Sequence, residues 1–417
     1  MERITSATIL NKSAQAAPAS APTPARSLRH LAYVDALRVV LIMLVVAHHS
    51  VEAYVKAHPP EIPLPDPPLV RASVFLGVNA AFFMGLFFLL AGYFTPGAFD
   101  RKGAPVFLGD RGRRLGLPLL FGTVAIVPIA GWAHLALDPA APPVSYWTYL
   151  TRYFLPTGPL HRLFLGDVPK PDFWPKWEGW PPMNLGHLWF LEHLLVYALL
   201  YAAVRAFIPA DRGSAARNPP THLAIAAYAV LLAAATFVVR IWYPQDRWIG
   251  FLGFIQMEPA HIPQYASLFV IGLLAGPRRW IETMPTRRGL AWLAVGVGLA
   301  AIAYLWAAFA TVRGPDSGNW LMCAWKAFLC VGFCVGLPVA FRELAIGTGQ
   351  VWRVLAANVL PVYVFHMPIV LLLQWALIGA PGPKWLRLIV TVIGAIAGSF
   401  AFTNFVILRL PYARRIF

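Results

Sequence analysis

From residue 32 onward the chain alternates long apolar runs with short polar connections, and the runs have the length of membrane-crossing helices. A helix-length window finds ten of them, at about 32–55, 74–96, 115–137, 187–208, 222–243, 261–276, 289–311, 319–341, 354–378 and 385–408. The sixth is short and begins beside Pro263, which predicts little tilt or a partly re-entrant course. The pattern predicts an all-α, polytopic integral membrane protein built as a single bundle of about ten transmembrane helices. Residues 1–29, rich in Ala, Ser, Pro and Thr, read as a disordered tail with no signal-peptide core, and residues 411–417 form a short polar terminus.

Composition agrees with this class. Only 12% of the 417 residues are charged and 59% are hydrophobic, against about 25% charged in ordinary soluble domains. The formal charge of +16 would suit nucleic acid, but Lys and Arg are scattered singly and in twos between apolar runs, so anionic lipid headgroups are the expected partners and nucleic acid is not. With the N-terminus inside, 22 Lys and Arg residues fall on the inner side and 11 on the outer. By the positive-inside rule both termini are expected in the cytoplasm. Cys323, Cys330 and Cys334 share one apolar run at helical spacing, and neither a disulfide nor a metal site is predicted.

Charge inside the apolar runs changes the picture. The first run, AYVDALRVVLIMLVVAHHSVEAYV, carries Asp35, Arg38, His48 and His49, groups that are rarely kept at membrane depth for packing alone. Arg38 and His49 are eleven residues apart, three helical turns, so they share one face and lie about 16 Å apart along the axis. His48 points about 100° away. Glu192 and Lys326 fall at about the depth of His49, roughly 7–10 Å inside the outer surface. They are expected to pair with each other, or one of them to hold His49 in its working tautomer. His366 has Tyr363 one turn before it, and a lone imidazole of this kind is accounted for equally by packing. His187 and His193 sit close to the outer interface, where anchoring explains them.

Two connections stand out. The loop 138–186 is the longest, faces outward on this topology, and holds Trp147, Trp174, Trp177 and Trp180 with His161, Asp172 and Glu178. It reads as an aromatic interfacial belt or, given its length, a lid or an acceptor-binding surface. The inner connection FDRKGAPVFLGDRGRRLGLPLL is the most basic stretch, and its Arg111 and Arg114, beside Arg38, make a cationic mouth suited to phosphoryl oxygens. A negatively charged carrier with a thin reactive tail fits that arrangement.

These segments resemble the membrane acyltransferase-3 family. The likeness lies in DALRVVLIMLVVAHH, with an Arg, ten residues and a His, in DRGRRLGLPLL with its Arg-x-x-Arg, and in FFMGLFFLLAGYF, GHLWFLEHLLVY and NVLPVYVFHMPIV, in order over residues 30–410. Where many members carry Ser-Gly-Phe or Ser-Gly-Tyr this chain has Ala91-Gly92-Tyr93, so no hydroxyl is offered there, and the context is nearest the glucan-modifying branch. The resemblance implies transfer of an acyl group, acetyl or succinyl in type, from cytoplasmic acyl-CoA to a hydroxyl of a carbohydrate-like acceptor, with no bound cofactor. It implies a binding role for Arg38, Arg111, Arg114, Asp35 and Lys326, and a catalytic one for His49 as general base, with Glu192 and His366 supporting it. A proton-coupled transporter is the alternative, weakened because no internal repeat is visible.

Overall fold

The first helix, α1 (Ala32–Val55), is one uninterrupted helix, so the Arg38 to His49 spacing is preserved as three straight turns. A computed structural model describes residues 31–55, 72–137, 143–154, 185–208, 218–252, 255–309 and 319–417. The expected tail over 1–29 and most of the loop 138–186, including His161, Asp172, Trp174, Trp177, Glu178 and Trp180, lie outside the described residues.

Nine described helices are long and apolar enough to cross a membrane, and the chain is an all-α, multi-pass membrane protein. After α1 come α2 (Ala72–Lys102) and α3 (Ala104–Ala133). A short helix α4 (Tyr146–Phe154) precedes α5 (Trp189–Phe207) and α6 (His222–Trp242). Then follow α7 (Ile262–Arg278), the one-turn α8 (Trp280–Thr283), α9 (Thr286–Phe309) and α10 (Trp320–Glu343). The chain closes with α11 (Gln350–Ala357), α12 (Val359–Ala376), α13 (Lys384–Phe405) and α14 (Ala413–Ile416). A two-stranded antiparallel hairpin, β1 (Ile249–Phe251) and β2 (Ile255–Met257), pairs Gly250 with Gln256 between α6 and α7.

The sixth of the ten expected crossings corresponds to α7, which with 17 residues is not among the nine. Its short length is matched by unusually close packing on α2. A Cβ on Gly92 would lie 2.2 Å from the Phe269 carbonyl oxygen, one on Gly272 2.3 Å from that of Leu89, and one on Gly276 2.1 Å from that of Tyr93. Small residues of this kind let helix backbones meet, which is how helices associate where lipid offers no hydrophobic drive. Gln264 completes the seam by donating to the Ala81 carbonyl at 2.9 Å. A left-handed Arg279 (φ 54) then ends α7.

The basic connection expected between the second and third spans is also helical. The break is confined to Gly103 (φ 72), a backbone conformation that suits glycine, so Arg111 and Arg114 stand on the first turns of α3 and not in a loop. Two π-helical turns, Gly112–Gly116 and Gly122–Ile126, widen α3 just ahead of Pro118 and Pro128, where a proline ring would clash with a regular ladder.

α1 lies at the centre of the bundle, against α2, α10, α12 and α13. Leu37, Val39, Leu41 and Val46 have no exposed surface. The chemistry-bearing helix is thus the one most enclosed by others.

Replacing Gly92 with Ala should destabilise the protein by at least about 1–3 kcal/mol, because the new methyl meets an immovable carbonyl. The same change at Gly77, with open space around it, should be neutral. Thermal unfolding in detergent checks both.

Candidate active site

Two polar clusters lie along α1, one at the end where it starts and one at the far end where it finishes. At the starting end Arg38 Nη1 sits 3.4 Å from Asp35 Oδ1 one turn earlier, and its guanidinium stacks over Phe94 of α2 at 4.8 Å. Arg111 stands over Phe107 at 5.1 Å, near enough to Arg38 and Arg114 for their charges to act on it. Arg114 is exposed. Arg38, Arg111 and Arg114 lie in one cationic region, two of them stacked on aromatic faces, with Asp35 and Asp110 as close counter-charges among the described residues.

At the far end His49 Nδ1 faces Glu52 Oε2 at 3.2 Å, an i,i+3 pair on α1. With the carboxylate accepting from Nδ1–H, the lone pair lies on Nε2, the arrangement that orients a general base and stabilises its protonated form. Glu52, not Glu192 or Lys326, is the group that sets this tautomer. It was overlooked in the sequence because it reads as the polar end of the first span, although its three-residue spacing from His49 was a usable signal.

His366 joins this cluster. Its ring centroid is 5.3 Å from that of His49 and 4.9 Å from that of His187, so His366 brings together three imidazoles from α1, α12 and the turn leading into α5. His366 has no exposed surface. Its Nδ1–H donates to the Tyr363 carbonyl at 2.8 Å, and its Nε2 is buried without a hydrogen-bond partner among the described residues. His187, expected as an interfacial anchor, is instead tucked inward: its Nε2 donates to the Val364 carbonyl at 3.2 Å, and its own carbonyl accepts from the Tyr363 hydroxyl. His48 takes the other face, stacked on Phe83 at 5.3 Å with the Asn79 amide on its Nδ1. That confirms that only one of the adjacent histidines can face the cluster. Among the described residues no group of three or more His, Cys, Asp or Glu side chains is placed to hold a metal.

Buried amides flank both faces of α1 here, Gln374 near His49 and Asn79 near His48. Gln374 donates to the Ser50 carbonyl at 3.3 Å, and Asn79 to that of Leu44 at 3.1 Å. Gln374 Oε1 and Asn79 Oδ1 are then buried with no donor among the described residues, like His366 Nε2. Such buried acceptors are of the kind that a hydroxyl-bearing ligand satisfies.

The expected Glu192–Lys326 pair does not form. Lys326 Nζ donates to Gln245 Oε1 at 2.6 Å, in the turn after α6, and Glu192 Oε2 accepts the Gln256 amide of β2 at 2.9 Å. Equal depth did not mean equal position around the bundle. Glu192 still reaches the imidazoles indirectly: the Gln256 side chain accepts from the Leu185 amide at 2.9 Å, which fixes the turn that presents His187. Ala91, at the position without a hydroxyl, gives its carbonyl to Thr95 at 2.8 Å, and the neighbouring Tyr93 hydroxyl donates to Glu282.

A family model described as an acyltransferase domain, the acyltransferase-3 type, matches residues 31–404. The match covers nearly all of the chain, and the protein belongs to that family; it is a membrane acyltransferase. No curated protein and no solved structure matches it.

The hairpin that secures Leu185 carries a pH dependence of its own. Burial works to raise the pKa of Glu258, but His261 at 2.9 Å, the Asp246 amide and the Arg240 charge together hold it below the ordinary carboxylate value. A carboxyl held lower in the folded protein stabilises it above the unfolded value of about 4.3, and that contribution is lost as pH falls through the lower, folded value. Glu258→Gln should therefore flatten the acid side of the melting-temperature profile while leaving the neutral side lower and level. Thermal unfolding between pH 7 and about pH 3 reads this.

Proposed function

We propose that the protein is a membrane-bound O-acyltransferase that moves a short acyl group, of acetyl or succinyl type, from acyl-CoA to a hydroxyl of a carbohydrate-like acceptor. The observation that carries this reading is the pairing on one helix of a cationic station, Arg38, with a carboxylate-oriented imidazole, His49 with Glu52 at 3.2 Å. The rise between the two stations, about 16 Å, suits the extended arm between the phosphates of coenzyme A and its thioester. Arg38, Arg111 and Arg114 take the phosphates, Asp35 orients Arg38 until the donor arrives, and the acyl carbonyl comes to rest beside His49.

In the transfer itself, His49 Nε2 takes the proton of the acceptor hydroxyl as its oxygen attacks the thioester carbon. The carbon–sulfur bond then breaks, and the imidazolium returns the proton to sulfur, releasing free coenzyme A. The Glu52 carboxylate stabilises the transient imidazolium through Nδ1–H. The unpaired acceptors His366 Nε2 and Gln374 Oε1 support a polyhydroxylated acceptor, since neighbouring hydroxyls of one sugar would donate to them. Glu192 and Lys326 act as positioning residues through the hairpin and the turn after α6. The excess of Lys and Arg on one side supports termini in the cytoplasm of a bacterial inner membrane, with the donor entering from that side and the acceptor from the other. Membership of the glucan-modifying branch would make the acceptor a glucan.

With purified protein in detergent, where no gradient exists to drive a transporter, release of coenzyme A should depend on both substrates. His49→Ala should lower kcat at least about 10²-fold. Glu52→Gln should lower kcat less, with the KM for acyl-CoA unchanged. Wild-type turnover by a folded His49→Ala protein would overturn the mechanism. Arg38→Gln should do the reverse, raising the KM for acyl-CoA about tenfold or more with little change in kcat, as expected for a lost charged contact to phosphate.

A further inference from the structure

Away from both polar stations a cavity of about 330 Å³ opens between α6 and α7 and is backed by α2 and α10. Its deep end is lined by Leu89, Tyr228, Leu268 and Cys334, and its mouth by the half-buried Pro220 and Trp280, with Ile281 and Met284 buried behind them. The walls are almost wholly apolar. The one deep hydroxyl, that of Tyr228, is already satisfied by Ser267 Oγ at 2.8 Å. Ala224 and Leu274, on facing helices at the opening, are exposed. From Pro220 to Tyr228 is eight residues and from Arg278 to Leu268 ten, so the slot runs about 12–15 Å along the helices.

The slot does not belong to the candidate active site. It touches α2 at Leu89, whereas Arg38 stacks on Phe94. Five residues of helix turn those two positions about 140° apart, so the slot and the cationic station use different faces of α2.

What distinguishes the slot from an ordinary lipid-facing crevice is its rim. Arg278 follows at the end of α7, its guanidinium 5.9 Å from the ring of Trp280 at the mouth. Arg288 Nη1 donates to the carbonyl of Pro220, also at the mouth, at 2.6 Å, and its Nε is buried with no partner among the described residues. Arg287 beside it is exposed. The carboxylates of this end are already committed, Glu282 to Arg279 and Tyr93 and Glu343 to Arg342 and Thr286. An apolar slot of acyl-chain length with a surplus of guanidinium at its mouth has the two halves of one ligand. We propose that it holds one acyl chain of a resident anionic phospholipid whose phosphate sits among Arg278, Arg287 and Arg288.

The full-length protein in detergent, titrated with phosphatidylglycerol or with phosphatidylcholine of the same chains and examined by native mass spectrometry, tests this. One phosphatidylglycerol should be retained severalfold more strongly than phosphatidylcholine, and Arg287→Gln should shrink that preference. Ala224→Trp, which plugs the opening, should reduce retention of phosphatidylglycerol severalfold; if that variant fails to fold, Leu274→Trp on the opposite lip serves the same purpose. Equal retention of the two lipids by the unaltered protein, or unchanged retention by a folded plugged variant, would overturn the proposal. So would displacement of the lipid by inorganic phosphate alone, which would assign the rim to a free anion. Acyl transfer is not the readout, so failure here leaves the proposed activity untouched.

Discussion

A polar group below the surface of a bilayer has no water to turn to, and whatever it needs must come from the protein. Most of the internal architecture answers that requirement. Gln264, Gln374, Asn79 and Asn358 each lay an amide on a backbone carbonyl. Ser50, Thr95 and Thr403 return their hydroxyls to their own helices. The histidines obey the same rule, and that has a chemical result. Once His366 and His187 have each given an N–H to a carbonyl, their tautomers are fixed before any substrate arrives. The carboxylate of Glu52 does for His49 what the carbonyls do for the others. Beside His49, His366 Nε2 and Gln374 Oε1 are buried with no donor among the described residues, and the hydroxyls of a ligand would satisfy them.

How far the sequence revealed this depended on whether a feature was one-dimensional. The Arg38 to His49 relation survived intact because it lives on one helix, where spacing alone determines face and distance. The choice of His49 over His48 is of the same kind. Glu192 and Lys326 were matched by depth, which sequence supplies, but their partners were decided by position around the bundle. That depends on a hairpin and a turn too short and irregular to be read from hydropathy. His187 was underrated for a similar reason: its place at the start of a span suggested an interface, whereas the turn held by Gln256 directs it inward. The basic stretch before the third span looked like a loop because charge and proline interrupt it, yet a single glycine takes up the whole break and helix resumes on either side.

Helix number shows another limit of hydropathy. Ten crossings are expected and nine described helices are long and apolar enough; the remaining one, α7, is shorter than its neighbours and rests on contact with α2 more than on its own apolar length. Composition measures how a segment meets lipid. It says little about a segment whose best surface meets another backbone.

That seam between α2 and α7 also sets an order of events during synthesis. Gly92 and Gly272 are about 180 residues apart, so at about 5–20 residues per second the first half of the seam waits roughly 10–35 s for its counterpart to leave the ribosome. Through that interval α2 is in the membrane with a flat, side-chain-poor stripe and no backbone to lie against it. The seam therefore closes midway through synthesis, with α9, α10, α12 and α13 still to come, and the insertion machinery must keep the intervening helices from settling into the groove reserved for α7.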